Sequence, residues 1–376
     1  MFPYKLPILL LIAAWSGTSA RADNWPVFRG NPLQTGIAAS PLPDALDIRW
    51  KFKAKDGIEG AAAIVDGAVY VGCLDEHLYA LNLATGQLKW TYQTDAAKGT
   101  KVGPIRASPS VRDGLVYVGD ADGIFHCVEA ATGTKRWTYD TGAEITSGAN
   151  FAGDLVLFGS SDETLYCLSK DGKERWKFRV PGGPVMGTPA IVDGRTFAAG
   201  CDSTLHVLDV AKGTEVGGGV DLGGQVGATV AVIGEQLYVG TMSGEVLAIN
   251  WKKGDIRWHF EAPRAKQPFY ASAAATDDLI VVGSRDKRVY ALHRKSGKEA
   301  WSFPTKRKVD SSPVVAGRRV YVGSSDGNLY VLDLADGTEQ QHFALGRDIT
   351  ASPAVGGNCL VISTMEGTIY CIGAKN

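Results

Sequence analysis

Apolar and polar positions alternate along the chain in short bursts. In Val309–Gln341 a run of small residues (Ser311, Ser312, Pro313) precedes a turn and then Val320-Tyr321-Val322-Gly323. A second turn at Ser325-Asp326-Gly327 leads to Leu329-Tyr330-Val331-Leu332, and a third follows at Asp336-Gly337. Alternation of this length between Gly- and Asp-bearing turns predicts strands joined as an antiparallel meander. A single meander leaves a face uncovered and needs neighbours of the same shape.

Those neighbours recur. The Asp of the second turn falls at Asp75, Asp122, Asp162, Asp202, Asp286 and Asp326, with Ser243 and Glu366 in the two remaining registers. The small residue of the first strand falls at Gly60, Ala107, Ser147, Gly187, Gly227, Ala271, Ser311 and Ala351. Both series step by 40 to 47 residues and count eight repeats, each the length of a four-stranded blade. The expected fold is all-β: an eight-bladed β-propeller with four antiparallel strands per blade.

Residue size orders the strands within a blade. Blades converge on the axis, so the Gly-, Ala-, Ser- and Thr-rich first strand belongs innermost. Pro109, Pro189, Pro313 and Pro353 fit there, because proline lacks an amide donor and suits an edge. Bulk is needed at the rim, where the last strand carries Trp90, Trp137, Trp176, Trp258 and Trp301, each four residues after a turn glycine. Gly217 and Gln341 take that place in repeats four and seven, which predicts weaker packing there. Repeat eight ends at Cys371-Ile372 without a last strand, while Asp47-Ile48-Arg49-Trp50-Lys51-Phe52 has the outer-strand pattern. The N-terminal strand is therefore expected to complete the last blade and close the ring, removing the open end of a linear array.

Composition adds little to the fold but bounds the function. The net charge of −1 over 376 residues gives no overall pull toward nucleic acid. Lys5, an apolar run from Leu6 to Trp15 and then Ala20-Arg21-Ala22 have the layout of a secretory signal, too short to cross a membrane. The expected organisation is a signal peptide over 1–22, a lead segment over 23–46 and the propeller over 47–376. Export to the periplasm or cell envelope follows, with no transmembrane segment. No Cys follows the apolar run, so a lipid anchor of the bacterial type is not indicated. Among the six cysteines, Cys127, Cys167 and Cys371 share one register on different blades, too far apart to bridge. They read as small buried hydrophobes; the pairing of Cys73, Cys201 and Cys359 stays open.

Candidate chemistry collects at two places. The residues just before the first-strand series are Glu59, Arg106, Thr146, Met186, Val226, Tyr270, Asp310 and Thr350, at the expected channel mouth. Glu59, Arg106, Asp310 and Tyr270 are the candidates there for a small polar ligand; the simpler reading is solvated charges that compensate one another. The second place is a basic sector, Arg285 to Lys308, holding Arg285, Lys287, Arg288, Arg294, Lys295, Lys298, Lys306, Arg307 and Lys308 against only Asp286 and Glu299. Of these, Arg285, Lys287, Arg288, Lys306, Arg307 and Lys308 are the candidate contacts for an acidic partner. The connectors Glu261–Tyr270, with Arg264 and Lys266, and Asp95–Gly103 are further contact loops. The turn Asp series reads as structural, bonding nearby amides. The histidines are scattered, and no metal or catalytic cluster accompanies them.

The run Ala80-Leu81-Asn82-Leu83-Ala84-Thr85-Gly86-Gln87-Leu88-Lys89-Trp90 resembles the tryptophan-docking repeat of the PQQ-type, or quinoprotein-like, propellers, as do Val128–Trp137, Ala248–Trp258 and Ala291–Trp301. Trp25-Pro26-Val27-Phe28-Arg29-Gly30-Asn31-Pro32 is similar to that superfamily's lead-in. One branch of it holds PQQ and calcium in quinoprotein dehydrogenases. The other is non-catalytic and typified by BamB of the outer-membrane assembly machinery. The dehydrogenases are longer and carry an adjacent cysteine pair that is absent here. The resemblance therefore implies a scaffold of the second kind: a monomer within a complex, binding envelope or outer-membrane proteins through its loops, outer-membrane associated, with no cofactor. The alternative is a PQQ-dependent oxidoreductase or a subunit of one.

Overall fold

The computed structural model describes residues 23–94, 103–263 and 266–375. The expected signal peptide, most of the Asp95–Gly103 connector and Arg264 lie outside them. Every regular element among the described residues is a strand, and the strands form eight four-stranded antiparallel sheets. Blade 3 is representative: Asn150–Ala152, Leu155–Gly159, Thr164–Ser169 and Glu174–Arg179 pair in chain order. Its second and third strands are buried almost throughout, whereas the fourth alternates exposed residues with half-buried Trp176 and Phe178. That difference is the period-two signal of a strand with one face in water. Cores lie between blades, where Phe125 of blade 2 stacks on Phe158 of blade 3 at 3.8 Å and 7°.

Closure follows the expectation. Leu46–Lys53 pairs antiparallel with Thr368–Ala374 as the outermost strand of blade 8, with Trp50 opposite Cys371. Each docking indole reaches across to the following blade. Trp50 Nε1 donates to Leu83 O at 2.7 Å, Trp176 to Val210 O at 2.8 Å and Trp301 to Leu334 O at 2.9 Å. The ring lies on a turn glycine of that blade: a Cβ on Gly86, whose φ is +71°, would sit 2.6 Å from Trp50 Cδ2.

In the two repeats without tryptophan, where weaker packing is expected, other groups stand at the joint, and the outer strand of repeat four is cut to Val220–Asp221. At the joint of blades 4 and 5 the filler comes from the other side: Trp251, buried, meets Phe197 edge-on at 5.6 Å and donates to Gly234 O of its own blade. At the joint of blades 7 and 8 the Gln341 amide donates to Leu46 O at 3.3 Å.

A hydroxyl belt binds the first strands. The amides of Ala61, Gly148, Thr188, Thr229, Ser272 and Ser312 donate to the hydroxyls of Ser108, Thr188, Thr229, Ser272, Ser312 and Ser352 on the next blade, at 2.8–3.0 Å. Small residues there are thus slim and also satisfy buried amides, each bond contributing about 1 kcal/mol. The belt corrects the first-strand series: in blade 5 Thr229 takes the hydroxyl position, so Ala228, not Gly227, is the equivalent of Gly187. One inserted residue precedes it.

The lead segment is the axial floor. Hydrogen bonds tie it to all eight blades, backbone to backbone in seven: Trp25 with Ile64, Pro26 O from Val111, Pro32 O from Ile191, Leu33 O from Val232, Thr35 O from Ala275, Gly36 O from Val315 and Asp23 O from Gly357; blade 3 is joined by its Asn150 side chain, whose Nδ2 donates to Pro32 O. Arg29 is buried at its centre, donating to Ser312 O at 3.1 Å, Ala273 O at 3.2 Å and Pro313 O. Burial lowers its guanidinium to about 9, which still leaves it charged at neutral pH.

Candidate functional site

With one end of the channel floored, the other end is a cup of about 460 Å³. First strands enter it by their N-terminal ends. Its wall includes Glu59, Arg106, Thr146, Met186, Tyr270, Asp310 and Thr350, seven of the eight residues expected at the mouth. The eighth, Val226, is fully buried instead; Gly227 lines the cup, as the one-residue insertion in blade 5 requires. Phe28 of the lead segment also lines the cup.

The two candidate sets meet at this mouth. Arg285 and Lys308 of the basic sector also line the cup. Arg285 makes a two-pronged pair with Asp310, Nε–Oδ1 2.8 Å and Nη2–Oδ2 3.0 Å, and Lys308 Nζ reaches Asp310 Oδ2 at 2.8 Å. The Arg285 guanidinium carbon lies 3.9 Å from the Tyr270 ring centroid, a cation–π contact. Burial by itself would raise the Asp310 carboxyl, but the bonds from Arg285 and Lys308 prevail and hold it below the usual range. Across the cup Arg106 bridges Glu59 at 3.2 Å and Glu144 at 3.3 Å. Glu144 was not among the sequence candidates, since it lies two residues before its blade's mouth position.

Topology divides the basic sector. Blade 6 runs through strands Leu279–Ser284, Arg288–His293 and Glu299–Pro304, reversing direction at each turn. Arg285, Lys287, Lys306, Arg307 and Lys308 therefore sit in loops on the cup face, and Arg294, Lys295 and Lys298 on the opposite face. Arg288 begins its strand at the cup end and donates to Ser302 Oγ at 2.9 Å. Lys287, Lys306 and Arg307 remain exposed. A larger groove, about 990 Å³, lies on the opposite face between blades 6 and 7, walled by Ile37, Leu279, Val315 and Leu334. No motif flagged it, because one wall belongs to the aperiodic lead segment.

The turn aspartates hold the cup-side hairpins. Asp162 accepts from the Thr164 amide at 3.0 Å and from the Tyr166 hydroxyl at 2.5 Å, and Asp326 accepts likewise from Asn328 and Tyr330. Burial and the Asp162 carboxylate push the Tyr166 phenol up, which keeps it a donor. His206 replaces the tyrosine, 2.7 Å from Asp202 and 2.8 Å from Glu215. Blade 2 departs from the series: Asp120, not Asp122, contacts His126 at 2.9 Å and takes the turn amides, while Asp122 Oδ2 is buried without a partner. These residues serve the hairpins.

A quinone held with calcium would need a set of free oxygen ligands facing the ion. Of the cup's three carboxylates, Glu59 and Asp310 are engaged by Arg106, Arg285 and Lys308, which leaves Asp348, with a buried Oδ1 that meets no donor, as a single free oxygen ligand rather than a set. Among the described residues no three His, Cys, Asp or Glu side chains converge as a metal site. The donors present do not fit that pair.

Against known proteins, the family model described as outer membrane protein assembly factor BamB matches residues 45–127, 121–269 and 215–376. The serine/threonine-protein kinase AfsK of Streptomyces griseus is 32% identical over 137 residues, 34% of this chain and 16% of that protein. Outer membrane protein assembly factor BamB of Nitrosomonas eutropha is 29% identical over 116 residues, 31% of this chain and 27% of that one. The matched stretches thus span well under half the length of either relative. Among solved structures, BamB from Moraxella catarrhalis superposes with a TM-score of 0.72 at 20% identity, covering 88% of this chain and 98% of that one. Quinohemoprotein alcohol dehydrogenase from Comamonas testosteroni gives 0.80 at 14%, covering 96% and 82%. At such identities both structures speak to the fold alone.

Proposed function

Because the chain belongs to the family described as outer membrane protein assembly factor BamB, we propose that it is a non-catalytic, exported scaffold of the cell envelope. It binds envelope or outer-membrane proteins through the loops of its cup face. The observation that carries this reading is the division of labour among the cup-face cations. Arg285 and Lys308 are spent on Asp310, whereas Lys287, Lys306 and Arg307 are exposed around them. Exposed charge on a rigid rim steers an acidic partner without the cost of breaking internal pairs. Pairing of Glu59 and Asp310, which leaves Asp348 as the one carboxylate of the cup outside an ion pair, disfavours the alternative, a PQQ-dependent oxidoreductase.

The experiment is affinity capture from the native envelope with the wild type and with a triple variant, Lys287→Glu, Lys306→Glu and Arg307→Glu. Loss of a co-eluting envelope protein in the variant supports the reading, and equal recovery removes the rim from it. Purified protein given PQQ and calcium should neither acquire quinone absorbance nor oxidise alcohols with an artificial dye. A clear signal would favour the oxidoreductase.

A further inference from the structure

Two cysteines set apart in the sequence meet in blade 8. Cys359 opens the strand Cys359–Ser363, and Cys371 lies in the neighbouring strand Thr368–Ala374. The register pairs Val361 with Cys371 and Leu360 with Ile372, so Cys359 faces Gly373 and shares one side of the sheet with Cys371. Gly373 offers no side chain in between: a Cβ there would lie 3.1 Å from Cys359 Sγ. Cys371 Sγ lies 3.9 Å from Leu83 O, and a Cys359 thiolate would accept from the Cys371 thiol beside it. Cys371 is fully buried and Cys359 half-buried at its edge.

We propose that Cys359 and Cys371 are a disulfide-forming pair, oxidised by thiol–disulfide exchange with a small-molecule or protein disulfide. The Cys359 thiolate attacks one sulfur of the incoming disulfide and expels the other as a thiolate, leaving a mixed disulfide on Cys359. Cys371 then loses its proton and attacks Cys359 Sγ, expelling the second thiol. Two electrons leave the protein thiols and reduce the incoming disulfide to two thiols. The asymmetry of the pair suits these roles. The hydrogen bond from Cys371 draws the Cys359 thiol below its ordinary range against the effect of burial, and nearby Arg49 assists. The same hydrogen bond, with burial, pushes Cys371 up, as befits the thiol that acts second. The bond would clasp the two inner partners of the strand that closes the ring, since Cys371 is opposite Trp50. The chemistry is intrinsic to the folded chain, so its test is independent of where the protein resides.

The test uses the purified full-length chain, first reduced, then incubated with oxidised glutathione. Remaining thiols are blocked with N-ethylmaleimide after denaturation and mapped by mass spectrometry. The expected result is a fall from six reactive thiols to four, with one cross-linked peptide joining Cys359 to Cys371 and release by dithiothreitol. Cys371→Ser should instead trap a glutathione adduct on Cys359. On the native reduced wild type, Cys359 should react with monobromobimane at least about tenfold faster than Cys201, the other partly exposed thiol, whose ionisation burial disfavours. Six surviving thiols, a different cross-link or faster labelling of Cys201 would each overturn the assignment, and the wild-type measurements need no variant to fold.

Discussion

Trp50 Nε1 donates to the carbonyl oxygen of Leu83 at 2.7 Å, and its ring covers Gly86. This contact joins blade 8, completed by the N-terminal strand, to blade 1. Trp50→Ala should lower stability by ~3–5 kcal/mol through the lost ring, with an added cost of about 1 kcal/mol for the hydrogen bond. Thermal denaturation should show Trp50→Phe recovering most of the loss.

Gly86 and Gly254 allow a controlled comparison, because both have φ +71°. A Cβ on Gly86 would meet Trp50 at 2.6 Å, whereas one on Gly254 meets only Val220 Cγ2 at 3.7 Å. Gly254→Ala should cost about 1 kcal/mol from backbone strain alone. Gly86→Ala should cost ~1–3 kcal/mol more, from overpacking against the indole. Equal denaturant midpoints for the two variants would show that the indole yields freely.

Arg29 tests the floor. Three carbonyl oxygens accept from it, in blades 6 and 7. Arg29→Met keeps the length of the stem but leaves those acceptors bare, and should cost ~3 kcal/mol or more at about 1–3 kcal/mol for each buried acceptor left alone. Hydrogen exchange should rise first at Ala275 and Val315, whose amides bond to Thr35 and Gly36 in the same segment.

Asp310 governs acid sensitivity at the cup. Its carboxyl is held below the usual range in the folded protein, as is that of Asp326. Their stabilising contribution is therefore complete above the unfolded value of about 3.9 and is lost as pH falls through the lower folded value. Urea midpoints measured from pH 6 down to 3 should fall, and Asp310→Asn should flatten part of that slope while costing ~1.5–3 kcal/mol at neutral pH.

Much of this molecule is legible in its sequence, for a physical reason. Blade count, strand order and closure by Trp50 depend on periodicity and residue size, which are local properties that a repeat displays eight times over. The mouth residues followed from the same ruler, and Val226 was misplaced because one inserted residue in blade 5 slips a strand by one position and turns its side chains over. What stayed hidden depends on contacts between distant positions. Nothing in the spacing of Arg285 and Asp310 distinguishes a clamped cation from a free one, nor Asp120 from Asp122 as the partner of His126. The lead segment carries no period, so its bonds to every blade left no trace in the pattern.

The position of Phe28, Arg29 and their neighbours across the axis has a last consequence. Many ring-shaped proteins are conduits, whereas here the bore is stoppered by the chain's own residues 23–38. Whatever enters beside Tyr270 and Asp310 must leave by the same door, so the hub can be a berth but not a passage.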